Sequence, residues 1–400
     1  MKRLSEYKMR KILILFFIIC FLGVVLSLGI KNVRSEIPRT GATPKAKGIT
    51  PRLAMYWKSL GKGVVQCQLC PRRCVLRPGE RGECKARENR GGKLYTMVYG
   101  LPCAVHADPI EKKPLFHVLP GTRSFSIATA GCNLKCKFCQ NWTISQYPPE
   151  ETSNYYLPPK DVVKMAKDSG SPSIAYTYTE PTIFYEYMLE TAKLARESGI
   201  MNVMHSAGYI NEAPLRELCK YLDAANIDLK GFSDEFYREL TDAHLEPVLN
   251  TLKILKEEGV HTEITNLIIP TKNDSSEEIR KMCKWIVENL GTEVPVHFSR
   301  FWPQYKMRNL SPTPVKTLEM ARRIAREEGL KYVYIGNVPG HTGENTYCPK
   351  CGRLLIQRVG YHVLRNNIVK GKCKYCGAKI PGVWKTRINA NYNCKTAKGN

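Results

Sequence analysis

Gly131-Cys132-Asn133-Leu134-Lys135-Cys136-Lys137-Phe138-Cys139-Gln140-Asn141-Trp142 sets three cysteines in a C-x3-C-x2-C array directly behind an expected strand, Phe125 to Thr129. Thiolates on so short a loop can converge on three corners of an iron–sulfur cubane, and Gly131 lets the chain turn closely in front of them. A ferredoxin-type cluster takes four cysteines. No fourth lies near, since Cys103 is well upstream and Cys219 well downstream. Cys132, Cys136 and Cys139 therefore read as ligands of a [4Fe–4S] cluster with one iron open to an outside ligand. The structural alternative is a zinc site completed by a distant residue. Position at the C-terminal end of a strand, where α/β proteins keep their catalytic loops, weighs against it.

Outward from this loop the chain alternates strand and helix. Expected strands are Phe125–Thr129, Ser173–Tyr178, Met201–His205, Asn226–Leu229, Thr262–Ile268 and Val294–Phe298, with Tyr332–Ile335 as a seventh. Expected helices between them are 160–167, 183–197, 212–221, 248–258, 277–289 and 317–328. Serial βα units imply an α/β fold with a parallel sheet, either doubly wound or curled into a full or partial barrel. Ligands then sit at the C-terminal strand ends. Asp228 and Lys230 share one face of such a strand end by period two, pointing inward, with Leu229 packing outward.

The array and its surroundings resemble the radical S-adenosylmethionine (AdoMet) signature, including the aromatic Phe138 before the last cysteine. Tyr178-Thr179-Glu180-Pro181 and Asp228-Leu229-Lys230 resemble the Gly-Gly-Glu-Pro and Asp-x-Lys motifs of the branch containing pyruvate formate-lyase activating enzymes. Asp108 to Gly121, Cys139 to Trp142, Tyr176 to Phe184 and His297 to Met307 are similar to the radical AdoMet enzymes of the AmmeMemoRadiSam system, over roughly residues 50–385. The resemblance implies a partial (β/α)6-type TIM barrel. It implies a cluster whose open iron chelates AdoMet, which is cleaved to a radical that abstracts a substrate hydrogen. It also implies a low-potential electron donor, and Memo-like and AMMECR-like proteins of the same system as partners. Glu180 is assigned to the AdoMet ammonium, Lys230 to its carboxylate with Asp228 balancing the charge, Phe138 to the cofactor site, and Ser206 with His205 to the ribose or substrate region. Tyr178 and Thr179 stand where that branch has glycines, which bears on how closely the backbone meets the ligand.

Two cysteine modules flank this core. Cys67, Cys70, Cys74 and Cys84 give C-x2-C-x3-C-x9-C, which suits tetrahedral zinc or an auxiliary cluster equally. Cys348, Cys351, Cys373 and Cys376 form two CPxCG-like knuckles with 21 residues between the pairs, a zinc-ribbon-like pattern. Structural zinc is expected there, with a rubredoxin-like iron as the alternative. Cys219 and Cys283 fall in expected helices as core residues.

With 400 residues, 16 cysteines and a formal net charge of +25, the chain is enzyme-sized, and its clustered thiols argue for metal ligation rather than a secreted disulfide scaffold. The charge-free run Ile12 to Ile30 follows Lys2, Arg3, Lys8, Arg10 and Lys11, as in a signal anchor. The expectation is a membrane-anchored chain with its catalytic part cytoplasmic, a secreted form being the alternative. Segments are expected at 1–50 (hydrophobic helix and linker), 51–110 (cysteine-rich), 111–340 (core) and 341–400 (basic, ribbon-like). From His341 onward there are 12 Lys or Arg and one acidic residue. Nucleic-acid binding is the weaker reading of that charge, because no aromatic platform accompanies it. Three functions stand: the radical AdoMet enzyme, a glycyl-radical activating enzyme, and a membrane-tethered metal or nucleic-acid binding protein without catalysis.

Overall fold

The computed structural model describes residues 50–386. Its central sheet comprises β1 (Pro102–Pro109), β2 (Arg123–Thr129), β3 (Ser173–Tyr176), β4 (Met201–Ser206), β5 (Ala224–Asp228), β6 (His261–Ile268), β7 (Val296–Arg300) and β8 (Val333–Gly336), hydrogen-bonded in that order. From β2 to β8 all pairs are parallel, whereas β1 runs antiparallel to β2. Neighbours in the sheet are neighbours in sequence, so the winding never reverses. A doubly wound sheet requires such a reversal, and that alternative is excluded.

The parallel strands are buried along most of their length because both faces are covered, and polar residues such as Asn202, Asn226 and Glu263 are buried among the apolar ones. All four residues of β3 are buried, as are six of the seven in β2. Helices Pro159–Asp168, Tyr185–Glu197, Glu212–Cys219, Leu245–Glu257, Ser276–Leu290 and Val315–Glu327 make the crossovers. The expected seventh strand is present. Among the elements not expected are β1 and the helix Asp234–Thr241, which Ser233 caps by accepting from the Phe236 N–H. The third strand ends at Tyr176, two residues before the expected boundary, because Tyr178 takes a left-handed φ of 63° that no strand tolerates.

One expectation is corrected. Among the described residues no helix is long and apolar enough to cross a membrane, so the structure gives the membrane-anchored assignment no support. The run Ile12 to Ile30 on which it rested lies outside the described residues, as does Cys20.

Short antiparallel strands carry the first cysteine module, and its Val65, Leu69 and Leu76 share one apolar cluster with Phe184 and Tyr185 of the core. Arg87, 2% exposed, pairs there with Glu186 on the helix Tyr185–Glu197. At the other end Leu355, Ile356, Cys348 and Cys373 pack with Phe116, Tyr332 and Tyr334. Buried Arg358 donates to the Phe116 carbonyl (2.7 Å) and to Thr346 Oγ1 (2.9 Å). Its Nε lies 3.9 Å from buried Glu111, and removing one partner of such a buried ion pair costs about 3–5 kcal/mol.

Candidate active site

Cys132, Cys136, Cys139, Phe138, Glu180, Ser206, Asp228 and Lys230 all line one cavity of about 410 Å³ at the C-terminal strand ends. That size falls in the range of small-molecule sites. Residues as distant as 132 and 230 meet because each follows a different parallel strand, and parallel strands end on the same side of the sheet.

The cysteine loop is held along its length. Gly131 has φ 95°, and a Cβ there would lie 2.3 Å from the Cys84 carbonyl oxygen. Only glycine fits. Lys135 and Lys137 donate their N–H groups to the carbonyls of Thr241 (2.8 Å) and Leu240 (2.9 Å), so the unexpected helix pins the loop. Asn141 Nδ2 donates to the Tyr178 carbonyl at 2.8 Å, tying the loop to the next strand end. Burial pushes the Cys136 thiol up to about 12, with Lys230 opposing, and raises Cys132 well above its ordinary value. These thiols give up their protons to a bound cation rather than to water.

Glu180 is buried and accepts four hydrogen bonds: from Thr182 N (3.1 Å), Thr182 Oγ1 (2.7 Å), Ser206 Oγ (2.6 Å) and Ala207 N (2.8 Å). Oε1 takes three of them and Oε2 one, which leaves Oε2 a lone pair for a cationic ligand. Ser206, expected near the ribose or substrate, thus lines the cavity while orienting Glu180. Asp228 accepts from Lys230 Nζ at 2.8 Å and lies 3.0 Å from His205 Nε2. Burial would raise the Asp228 carboxyl, yet Lys230 and His205 hold it well below the usual carboxylate range. Lys230 is raised in turn: burial works against its charge, and Asp228 and Cys136 outweigh that. Leu229 is fully buried beside them, as the period-two reading requires.

The residues present fit a bound cluster and ligand. Thr265 Oγ1 and Glu111 Oε2 belong to residues on the cavity wall and are buried without a protein partner, as atoms left for a bound molecule would be. Among the described residues only Cys348, Cys351, Cys373 and Cys376 bring three or more such ligand atoms within 4.8 Å of one another. Cys132, Cys136 and Cys139 are therefore spread more widely than one ion needs. In the C-terminal set Cys348–Cys376 and Cys351–Cys373 are 3.6 and 3.8 Å apart. Metal–sulfur bonds of about 2.3 Å in a tetrahedron give edges of about 3.8 Å. That set can hold one metal ion.

Sequence reasoning missed part of the wall. Buried Lys113 pairs with Asp108 (2.7 Å) and sits 4.3 Å from the centre of the Tyr178 ring, whose hydroxyl also donates to Asp108. Burial lowers Lys113 to about 8 despite that partner. The signal was the Asp108-to-Gly121 stretch, noted as a likeness without a chemical role. Glu344, Gly360 and Tyr361 also reach the cavity from the C-terminal module, and nothing in the sequence marked them.

The family model of the radical SAM superfamily matches residues 126–286, spanning the cysteine loop, Glu180, Asp228 and Lys230. The chain belongs to the radical SAM superfamily. Membership implies an enzyme that uses a [4Fe–4S] cluster and AdoMet. An uncharacterized protein of Methanocaldococcus jannaschii is 50% identical over 331 residues, covering 82% of this chain and 98% of its own. The pyruvate formate-lyase-activating enzyme of Clostridium pasteurianum is 28% identical over 174 residues, covering 43% of this chain and 71% of its own. A radical SAM methyltransferase from Sphaerobacter thermophilus, of known crystal structure, shares 13% identity with a TM-score of 0.43, covering 80% of this chain and 87% of that one.

Proposed function

We propose that this radical SAM enzyme holds its [4Fe–4S] cluster on Cys132, Cys136 and Cys139 and binds AdoMet between that loop and Glu180, Asp228 and Lys230. When bound, the cluster supplies the electron that cleaves AdoMet to a 5′-deoxyadenosyl radical for hydrogen abstraction from substrate. The protein's part is to bind, orient and exclude water. Glu180, with four donors already fixing it, offers Oε2 to the AdoMet ammonium as a charge-assisted contact. Lys230 meets the carboxylate while Asp228, itself held by His205, keeps its Nζ in place. Phe138 lies 5.9 Å from that Nζ and shields it from solvent. The observation that carries this reading is the meeting of three separate sequence motifs on one cavity wall. We further propose that the singly wound sheet forms the partial barrel of this superfamily, with the segments 51–110 and 341–400 as its flanking modules, and that the C-terminal set binds zinc.

The substrate is proposed to be a protein, since relatives that activate glycyl-radical enzymes suggest a protein substrate and an electron donor. Within that class, the AmmeMemoRadiSam likeness favours Memo-like or AMMECR-like partners, and a glycyl-radical protein is the second reading. Anaerobic reconstitution with iron, sulfide, AdoMet and a strong reductant tests the core of the proposal. The native chain is expected to release 5′-deoxyadenosine and the Cys136→Ala variant none; equal release from both would reject it.

A further inference from the structure

The same chain holds two four-cysteine sets, and their sulfurs are arranged differently. In the C-terminal set they converge within 4.8 Å, as one tetrahedral ion demands. The sulfurs of Cys67, Cys70, Cys74 and Cys84 do not converge in this way. They ring a separate, largely apolar cavity whose wall also includes Gly82 and Asn133. All four are free thiols. We propose that Cys67, Cys70, Cys74 and Cys84 hold a second iron–sulfur cubane, closed by four thiolates, and not a zinc ion.

Two further observations are consistent with a cluster on these sulfurs. Gly82 borders the cavity, and a Cβ added there would lie 3.7 Å from Cys74 Sγ and 3.8 Å from Cys84 Sγ. Those are ordinary contact distances, so a Cβ fits there and only a larger side chain would enter the space beside the sulfurs. Secondly, Arg87 Nη1 donates to Cys67 Sγ at 3.3 Å, with the guanidinium buried and paired to Glu186. A buried donor on sulfur stabilises an anionic cluster–thiolate assembly.

The cavity adjoins the first site. Asn133, on its wall, is next in sequence to Cys132. Thr182, also on its wall, donates to Glu180. The Cys84 carbonyl is the atom that forbids a side chain at 131. A closed cluster here has no iron for AdoMet, which separates its behaviour from that of the first.

The test is acid-labile sulfide per chain after anaerobic reconstitution of the full-length protein, because neither zinc nor a rubredoxin-like iron carries sulfide. About eight sulfides are expected in the native chain and about four in the Cys132→Ala/Cys136→Ala/Cys139→Ala variant, each cubane contributing four. The cluster kept by that variant is expected to give, on reduction, a paramagnetic signal that AdoMet does not shift. Adding Gly82→Leu, which leaves all four thiols in place, is expected to abolish that sulfide while C-terminal zinc and the circular dichroism spectrum stay unchanged. No sulfide in the triple variant, a second equivalent of zinc instead, or full sulfide after Gly82→Leu would each overturn the proposal. The two cluster readings fail separately. About four sulfides in the native chain that vanish in the triple variant would remove this cluster and spare the first. About four that persist there and ignore AdoMet would do the reverse.

Discussion

Replacing Gly131 by alanine adds one carbon where the chain has no space for it. The new Cβ would lie 2.3 Å from the Cys84 carbonyl oxygen, more than 1 Å inside ordinary contact, and a backbone oxygen cannot swing aside as a side chain can. Alanine at φ 95° also carries a left-handed penalty of about 1–2 kcal/mol. Overpacking adds about 1–3 kcal/mol, so the expected loss is about 2–5 kcal/mol, a large part of the 5–15 kcal/mol that separates most folded proteins from their unfolded chains. Gly170→Ala is the control, with φ 65° and nothing within 4 Å of the added carbon. It bears the conformational cost alone. Urea unfolding of the metal-free variants, followed by circular dichroism, should place the Gly131→Ala midpoint well below that of Gly170→Ala. Because Cys132 is the adjacent residue, iron bound after reconstitution should fall in the same variant and not in the control. Equal midpoints with equal iron would refute the packing argument.

Glu180→Gln keeps the shape but turns an amide N–H₂ toward donors and removes a charge; AdoMet is expected to bind about 10–100-fold more weakly, from a charged hydrogen bond of about 1.5–3 kcal/mol, and unchanged affinity by calorimetry would reject the ammonium contact. Asp228, held below its unfolded value by Lys230 and His205, contributes stability that is present above about pH 4 and lost as pH falls through its depressed folded value. In Asp228→Asn that acid limb should flatten, and an unchanged stability–pH curve between about pH 5 and 2 would count against the pairing. Chelation or Cys373→Ser should remove one metal ion per chain and lower the unfolding temperature; loss of neither would reject the C-terminal metal set.

Much of this architecture was legible in sequence because parallel strands buried on both faces are rich in apolar and β-branched residues, and 125–129, 201–205 and 262–268 are enriched in them between helical stretches. The motifs at 132–139, 180 and 228–230 were legible because each immediately follows a strand. β1 escaped because Pro102-Cys103-Ala104-Val105-His106 mixes apolar and polar residues as an edge strand can. The helix Asp234–Thr241 did carry a signal in Ser233 followed by Asp234 and Glu235, a capped and acidic first turn. Spacing could not separate zinc from a cluster at Cys67 to Cys84, since it counts residues along the chain while the distinction lies in how far apart the sulfurs stand. Nor could it show that Tyr178, at a glycine position of related motifs, adopts a glycine-like backbone and turns its ring toward Asp108 and Lys113.

The tip of the hairpin between Leu354–Val359 and His362–Asn366 brings Gly360 and half-exposed Tyr361 to the rim of the cavity. The knuckles bracketing that hairpin are closed by Cys348, Cys351, Cys373 and Cys376. Under the proposed function, a metal ion on those four cysteines, some two hundred residues further along the chain than Cys132, would help fix the width of the cavity's entrance. Occupancy of that set would then bear on what enters the cavity.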